Sequence, residues 1–254
     1  MLALLEAIPY FFLTLVGICV GSFCNVLIFR IPLGEEFVKT PSHCMSCGHR
    51  LKWYELIPIV GYVIQGGKCR NCGVKLSKQY PIVEALNGGM WLVTALLARG
   101  DWIQALLNCA LFSALLVVTV IDWRTFEIPN GLNLFILILG VIATVLDGEN
   151  WLMHLIGLVS ISLVFLLLWF ITGGGGIGMG DVKLVGAAGL YLGWPRMLLA
   201  VIIGSVGGAV IHLIRMHFGA GKKLAFGPYL SAGIWIAALF GTQIITWYLS
   251  LFGL

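Results

Sequence analysis

The chain has 254 residues, of which 60% are hydrophobic and only 10% are charged, and its formal net charge at pH 7 is +4. Soluble domains usually carry about 25% charged residues and about 45–50% apolar ones. The scarcity of charge excludes a disordered chain and a nucleic-acid-binding protein, and it disfavours an ordinary cytosolic enzyme. The remaining class is a polytopic membrane protein, in which the positions of the 15 lysines and arginines carry the information.

Stretches without ionisable residues predict the membrane segments, because a helix needs about 20 apolar residues to cross about 30 Å of hydrocarbon. The sequence predicts an all-α fold with eight transmembrane helices, of which the sixth is unusually short. The predicted spans are 7–29, 79–98 (interrupted by Glu84), 102–121, 128–146, 151–171, 184–195, 197–214 and 226–254. We expect the first span to remain in the mature protein, since its leader holds Glu6 and no lysine or arginine.

The basic residues predict the orientation of these spans. The connections after spans 1, 3, 5 and 7 hold thirteen of the fifteen lysines and arginines, and the other side holds two. The thirteen are Arg30, Lys39, Arg50, Lys52, Lys68, Arg70, Lys75, Lys78, Arg124, Lys183, Arg215, Lys222 and Lys223, and the two are Arg99 and Arg196. The positive-inside rule then places the first set in the cytoplasm and both termini outside.

The first cytoplasmic loop, residues 30–79, contains two Cys-x-x-Cys-Gly motifs separated by 21 residues. Their cysteines are Cys44, Cys47, Cys69 and Cys72. Four thiolates in this spacing predict a tetrahedral zinc site that is closed and therefore structural. Gly48 and Gly73 are expected to adopt positive φ, which turns backbone amides toward the sulfurs. Two disulfides or four free thiols are the alternatives, although stable disulfides are rare in a reducing cytoplasm.

Four of the eleven acidic residues lie at or near the cytoplasmic ends of predicted spans: Glu84, Asp122, Glu127 and Asp181. A charged side chain within a bilayer costs about 2.5–3.5 kcal/mol on insertion scales, so such residues usually face a polar cavity or a partner. Asp122 ends the third span, and Asp181 follows residues 173–180, in which six of eight are glycine. Two carboxylates facing one cavity favour acid–base work on water, as in an aspartic protease. A transporter's proton relay and simple helix capping remain alternatives.

Several motifs together resemble the prepilin peptidase family, also called type IV leader peptidases. Gly178-Met179-Gly180-Asp181 resembles the family's GxGD signature, and Asp122 with Glu127-Ile128-Pro129-Asn130 resembles its other catalytic motif. Further matches are Gly21-Ser22-Phe23-Cys24-Asn25-Val26, Arg30-Ile31-Pro32, the two cysteine pairs, Tyr80-Pro81-Ile82-Val83-Glu84 and Phe226-Gly227-Pro228-Tyr229. The resemblance covers nearly the whole chain in the family's order.

This resemblance implies an enzyme with two activities at the bacterial cytoplasmic (inner) membrane. The peptidase removes a short basic leader after a glycine from prepilin or pseudopilin precursors, at the cytoplasmic face. The second activity methylates the new N-terminal residue, often phenylalanine, with S-adenosylmethionine as the donor. Beyond these precursors, the lipid bilayer is the expected partner, and nucleic acid is not.

The resemblance also implies roles for particular residues. Asp122 and Asp181 would be catalytic, and zinc would bind the four cysteines of the loop. The residues expected to support the aspartates are Gly178, Gly180, Lys183, Pro129 and Asn130, and the candidates near the methyl donor are Glu84, Gly88 and Gly89. The expected organisation is a first transmembrane helix (1–29), a zinc-binding domain (30–79) and a catalytic membrane domain (80–254). The competing functions are a proton-coupled transporter and a membrane-anchored zinc interaction module.

Overall fold

A computed structural model describes residues 2–98, 100–219 and 223–253. Arg99 and Lys222, which enter the predicted orientation, and Leu254, at the end of the last predicted span, lie outside the described residues. Within the described residues the chain forms helices and turns, with two isolated β-bridges and no β-strand. The predicted all-α fold is therefore confirmed.

The described residues contain nine α-helices. They are α1 (Leu2–Arg30), α2 (Val60–Ile64), α3 (Gln79–Leu97), α4 (Trp102–Thr125), α5 (Asn130–Leu146), α6 (Trp151–Thr172), α7 (Met179–Leu192), α8 (Trp194–His217) and α9 (Gly227–Ser250). Short 3₁₀ turns cover Ile31–Leu33, Trp53–Glu55 and Gly148–Asn150.

The predicted count of eight membrane spans is not confirmed. Five segments of the described chain are long and apolar enough to cross a membrane, and they correspond to α1, α4, α6, α8 and α9. The α5 helix is apolar but has 17 residues, and α7 has 14, which corresponds to a length of only about 21 Å. The α3 helix, predicted as the second span, is not among the five and buries the polar side chains of Glu84 and Asn87.

The chain divides into two compact units, Met1–Ser113 and Ala114–Leu254. In the first unit α1 packs along α3, and small residues allow close approach between them. Asn87 on α3 donates a hydrogen bond to the carbonyl oxygen of Gly17 on α1 at 2.7 Å. Ser113 donates to Asn87 and accepts from Trp91, at 2.9 and 3.0 Å. This buried network satisfies polar groups that would otherwise be costly in an apolar interior.

In the second unit α7 lies in the interior and contacts α5, α6, α8 and α9. Ten of its fourteen residues are buried. A Cβ atom at Gly157 or at Gly189 would collide with the backbone of the facing helix, so glycine is required where α6 and α7 cross. A helix that is surrounded by protein on all sides needs no polar face, which explains why apolar residues lie all round α7.

Candidate active site and metal centre

A cavity of about 290 Å³ in the second unit contains both predicted catalytic aspartates. The residues that line it are Asp122, Phe126, Glu127, Ile128, Asn130, Gly178, Met179, Gly180, Asp181 and Lys183. The cavity lies where the end of α4, the start of α5 and the start of α7 meet. Residues that are about 60 positions apart in sequence therefore face the same space.

Asp122 occupies the last turn of α4 and is only 5% exposed. Its Oδ2 atom accepts a hydrogen bond of 2.8 Å from the backbone N–H of Gly227, at the start of α9. The first N–H groups of a helix have no partner within the helix, so this terminus is a ready donor for a carboxylate. A Cβ atom at position 227 would lie 2.8 Å from the same oxygen, so any other residue there would force the carboxyl group to move.

Asp181 is the third residue of α7 and closes the first turn of that helix. Its Oδ2 atom accepts a hydrogen bond of 3.1 Å from the backbone N–H of Gly178. Its Oδ1 atom is buried, and no described residue provides a hydrogen-bond partner for it. Because buried polar atoms are normally paired, this oxygen is available to a water molecule or a substrate group in the cavity.

The connection between α4 and α5 shapes the wall of the cavity. Phe126 has φ of 57°, an uncommon backbone conformation for a bulky residue, and its N–H donates to the carbonyl oxygen of Asp122 at 2.9 Å. Ile128 lies against Gly180, where an added Cβ atom would be 3.0 Å from the isoleucine Cβ. Lys183 donates a 2.8 Å hydrogen bond from Nζ to Oδ1 of Asn130, which joins α7 to α5.

The predicted supporting residues take different positions around this cavity. Gly178, Gly180, Lys183 and Asn130 line it, whereas Pro129 precedes α5 with an extended backbone and is not among the lining residues. The sequence motif around Gly227 predicted no role for this glycine at the active site. Its hydrogen bond to Asp122 joins residues that are 105 positions apart in sequence. Chemically, two carboxyl groups facing one cavity can act as acid and base on a water molecule.

The four cysteines of the loop lie together in the first unit. All four Sγ atoms are within 4.8 Å of one another, with Cys44 and Cys72 3.9 Å apart and Cys47 and Cys69 4.0 Å apart. Four thiolates at about 2.3 Å from one zinc ion would be about 3.8 Å apart, whereas a disulfide requires about 2.05 Å. The cluster therefore fits a tetrahedral metal ion.

Each pair of cysteines is held in the same local turn. Gly48 donates its N–H to the carbonyl oxygen of Cys44, and Gly73 does so to Cys69, both at 2.9 Å. The predicted positive φ of the two glycines is confirmed, at 69° for Gly48 and 72° for Gly73. Only a residue without a Cβ atom adopts this backbone conformation without steric cost.

Hydrogen bonds to sulfur favour the thiolate form that a metal ion requires. A hydrogen bond from the backbone N–H of His49, together with one from the Asn71 side chain, lowers the pKa of the Cys47 thiol to about 6. The backbone N–H groups of Cys72 and Asn71 likewise lower the pKa of Cys69. These two sulfurs therefore accept hydrogen bonds before any metal ion binds. For the Cys72 thiol a backbone hydrogen bond is outweighed by desolvation and by the neighbouring thiols, which raise its pKa to about 11.

The three candidates near the methyl donor all lie on α3 but differ in their surroundings. Glu84 is buried in the first unit and faces a second cavity beneath the cysteine loop. Gly88 is packed against Ile18 and the backbone of Thr14 on α1, and Gly89 has no atom within 4 Å of an added Cβ. Of the three residues, Glu84 lines this cavity, and Gly88 and Gly89 line neither it nor the cavity of the aspartates.

The described residues thus define a helical membrane protein with two carboxyl groups in one cavity and a four-cysteine cluster suited to a metal ion. Two family models match the chain: the bacterial peptidase A24 N-terminal domain over residues 15–98, and the type IV leader peptidase family over residues 109–213. The chain belongs to the type IV leader peptidase family. The resemblance stated from the sequence motifs is confirmed.

Relatives that align with this chain over nearly their full length share the same name. The prepilin leader peptidase/N-methyltransferase of Pseudomonas aeruginosa is 34% identical over 94% of this chain and 93% of its own length. The proteins of the same name from Aeromonas salmonicida and Pseudomonas putida are 31% and 30% identical, over 98% and 96% of both chains. No solved structure matches the chain.

Proposed function

We propose that the chain removes the leader of type IV prepilin-like precursors and that Asp122 and Asp181 form its catalytic pair. The predicted enzyme class, a leader peptidase with N-methyltransferase activity, is confirmed by the family membership and by the names of the relatives. The main support for this catalytic pair is that carboxyl groups from two helices, α4 and α7, line one cavity. The unpartnered Oδ1 atom of Asp181 supports it as well.

In the proposed mechanism a water molecule lies between the two carboxyl groups. The ionised carboxylate takes a proton from the water while the water oxygen attacks the carbonyl carbon of the scissile peptide. The protonated carboxyl group donates its proton to the carbonyl oxygen. The tetrahedral intermediate then collapses as the peptide nitrogen gains a proton and the carbon–nitrogen bond breaks, so no covalent bond to the enzyme forms.

We place the enzyme in the bacterial inner membrane, with the cysteine loop and the aspartates toward the cytoplasm. With the eight spans predicted from the sequence, thirteen of the fifteen basic residues lie on the side of the cysteine loop, which supports this orientation. Asp122 lies in the last turn of α4, and Asp181 lies in the first turn of α7. A precursor whose apolar helix lies in the bilayer would present its leader junction at this depth.

The proposed function includes two bound groups. Zinc is the metal ion that best suits four thiolates, and a site with four protein ligands has no open position, so its role is structural. S-adenosylmethionine is the methyl donor that the N-methyltransferase name of the relatives implies. It supplies an activated methyl group for the amine that leader removal exposes.

Incubation of the purified protein with a precursor peptide tests both activities together. The peptide contains a basic leader, a Gly–Phe junction and the following apolar segment, and S-adenosylmethionine is present in half of the samples. We expect mass spectrometry to detect loss of the leader in all samples and an added methyl group only where the donor is present. An intact precursor after prolonged incubation with folded protein would contradict the proposal.

Replacing Gly227 by alanine is expected to slow leader cleavage by about tenfold to a hundredfold. The added Cβ atom would lie 2.8 Å from Oδ2 of Asp122 and 3.1 Å from its Cγ, so the carboxyl group must move and lose its amide donor. A displacement of about 1 Å in a catalytic group can cost about 10²-fold in rate. Gly207→Ala on α8 is the matched control, because no atom lies within 4 Å of its Cβ position. Equal cleavage rates for the two variants would contradict the proposed role of the Gly227 amide.

A further inference from the structure

A second cavity, of about 320 Å³, lies within the first unit beneath the cysteine loop. One side of it is formed by Asn25 and Phe29 on α1 and by Tyr80 and Glu84 on α3, and residues of the cysteine loop form the rest. Asn25 and Phe29 are four positions apart, as are Tyr80 and Glu84, so each pair shares one helix face. The volume is at the lower end of the range typical for small-molecule sites, about 300–1,000 Å³.

Glu84 brings a buried carboxyl group to this cavity, which Glu55, Arg30 and Lys75 line as well. The guanidinium group of Arg30 donates to three backbone carbonyl oxygens of the loop. Its side chain is 5% exposed, and its Oε2 atom accepts a 2.6 Å hydrogen bond from the backbone N–H of Ile59. Among the described residues, the ion pairs involve Glu55 and Asp147, and none involves Glu84. Buried carboxylates are normally paired with a cation, so a positively charged ligand would supply the partner that Glu84 lacks.

The backbone that holds Glu84 is strained. Ile59 has φ of 62°, which is a genuine outlier for a β-branched residue. This conformation directs its N–H to the carboxylate of Glu84 across 25 positions of sequence. Strain of this kind persists only where the surrounding structure imposes it, and it is concentrated at functional sites.

Gln65 adds an unpaired hydrogen-bond acceptor to the same cavity. Its Nε2 atom donates to the carbonyl oxygens of Glu55 and Gly61, at 3.4 and 3.0 Å, so the orientation of the amide is set by two acceptors. Its Oε1 atom is buried, and no described residue donates to it. The cavity therefore suits a ligand that carries N–H or O–H donors in addition to positive charge.

The apolar part of the cavity suits a flat ring. The rings of Phe29 and Tyr80 both line it, with centroids 5.2 Å apart and an angle of 27° between their planes. Aliphatic side chains such as Val26 and Leu76 line it too. Aromatic and aliphatic walls with a few placed polar groups are typical of small-molecule and cofactor sites.

We propose that this cavity binds S-adenosylmethionine, with its sulfonium beside Glu84 and its amine or hydroxyl donors on Gln65. This inference rests on the proposed methyltransferase function and gives that function a location. In the transfer, the neutral α-amino nitrogen of the cleaved substrate forms a bond to the methyl carbon. The carbon–sulfur electron pair returns to sulfur as a neutral thioether, and the positive charge moves to the methylated nitrogen.

Direct binding to the purified full-length protein tests the proposal without relying on turnover. Affinities for S-adenosylmethionine and for its neutral product, S-adenosylhomocysteine, are measured by calorimetry for the wild type and for Glu84→Gln. Glutamine retains an oxygen for the Ile59 amide, so the variant removes the charge and preserves the shape. Glu35→Gln, an exposed carboxylate in the same loop, is the matched control. Gln65→Leu serves as a second variant if Glu84→Gln does not fold.

We expect Glu84→Gln to weaken S-adenosylmethionine binding by about tenfold or more, and S-adenosylhomocysteine binding by clearly less, because only the former carries the sulfonium charge. Gln65→Leu should weaken both ligands, and Glu35→Gln neither. Unchanged binding in Glu84→Gln, or an equal loss for both ligands, would overturn the proposal. Leader cleavage by the wild type is measured in the same preparation. Cleavage without donor binding would overturn this site alone, whereas absence of cleavage would contradict the proposed peptidase.

Discussion

Asn in place of Asp122, and separately in place of Asp181, is expected to abolish leader cleavage while the protein remains folded in the membrane. Asparagine has nearly the shape of aspartate, and its carbonyl oxygen can still accept the amide hydrogen bonds from Gly227 and Gly178. It can neither take a proton from water nor donate one as an acid. Loss of one acid or base group costs about 10²–10⁴-fold in rate, so cleavage should fall below detection.

The matched control for this pair is Asp101→Asn, at the opposite end of the helix that carries Asp122. Asp101 accepts a 3.0 Å hydrogen bond from the backbone N–H of Gln104, and asparagine is an equally good residue at such a helix start. This variant should cleave at the wild-type rate. Full cleavage by Asp122→Asn or by Asp181→Asn would refute the catalytic pair.

A second measurement separates chemistry from folding in the aspartate variants. Methylation requires a free α-amine, so a precursor that is not cleaved cannot be methylated. A synthetic peptide that already begins at the phenylalanine bypasses this requirement. We expect both variants to methylate this peptide, because the proposed donor cavity belongs to the other compact unit. Loss of methylation together with cleavage would indicate a misfolded protein or a shared site.

Local sequence patterns predicted those parts of the site that depend on short-range geometry. The two cysteine motifs carry their own turns, so the positive φ of Gly48 and Gly73 could be read from the sequence. The glycine-rich run and the short sixth span predicted a helix that starts near Asp181, and α7 begins at Met179. In each case the residues that determine the conformation lie within a few positions of one another.

Long-range contacts explain what the sequence could not predict. Gly227 donates to Asp122 across 105 positions, and nothing near either residue signals the other. The count of eight spans is not confirmed for a related reason: α7 is buried by neighbouring helices, and a buried helix has no need to match the thickness of a bilayer. Gly88 packs closely against Ile18 and Thr14 on α1, a contact that no local pattern signals.

Replacing Cys47 and Cys72 together by serine is expected to remove the metal ion and unfold the cysteine loop. Both side chains are exposed, so serine creates no cavity in a core, and the effect reports the loss of the metal. Structural zinc sites contribute about 10–16 kcal/mol in zinc-finger peptides. The loop otherwise consists of short helical turns and two isolated β-bridges, and the buried apolar side chains between residues 31 and 78 are those of Cys44 and Cys69 themselves.

Elemental analysis should find about one zinc ion per wild-type chain and none in the double variant, and limited proteolysis should cut the variant between residues 30 and 79. Cys19→Ser is the control, because Cys19 is exposed on α1 and lies outside the cluster.

The cysteine loop lines the proposed donor cavity through Cys44 and Cys69, whereas the aspartates belong to the second unit. The double variant should therefore lose methylation and donor binding and keep part of its leader cleavage. A wild-type protein that is free of metal and has four reactive thiols would refute the zinc site.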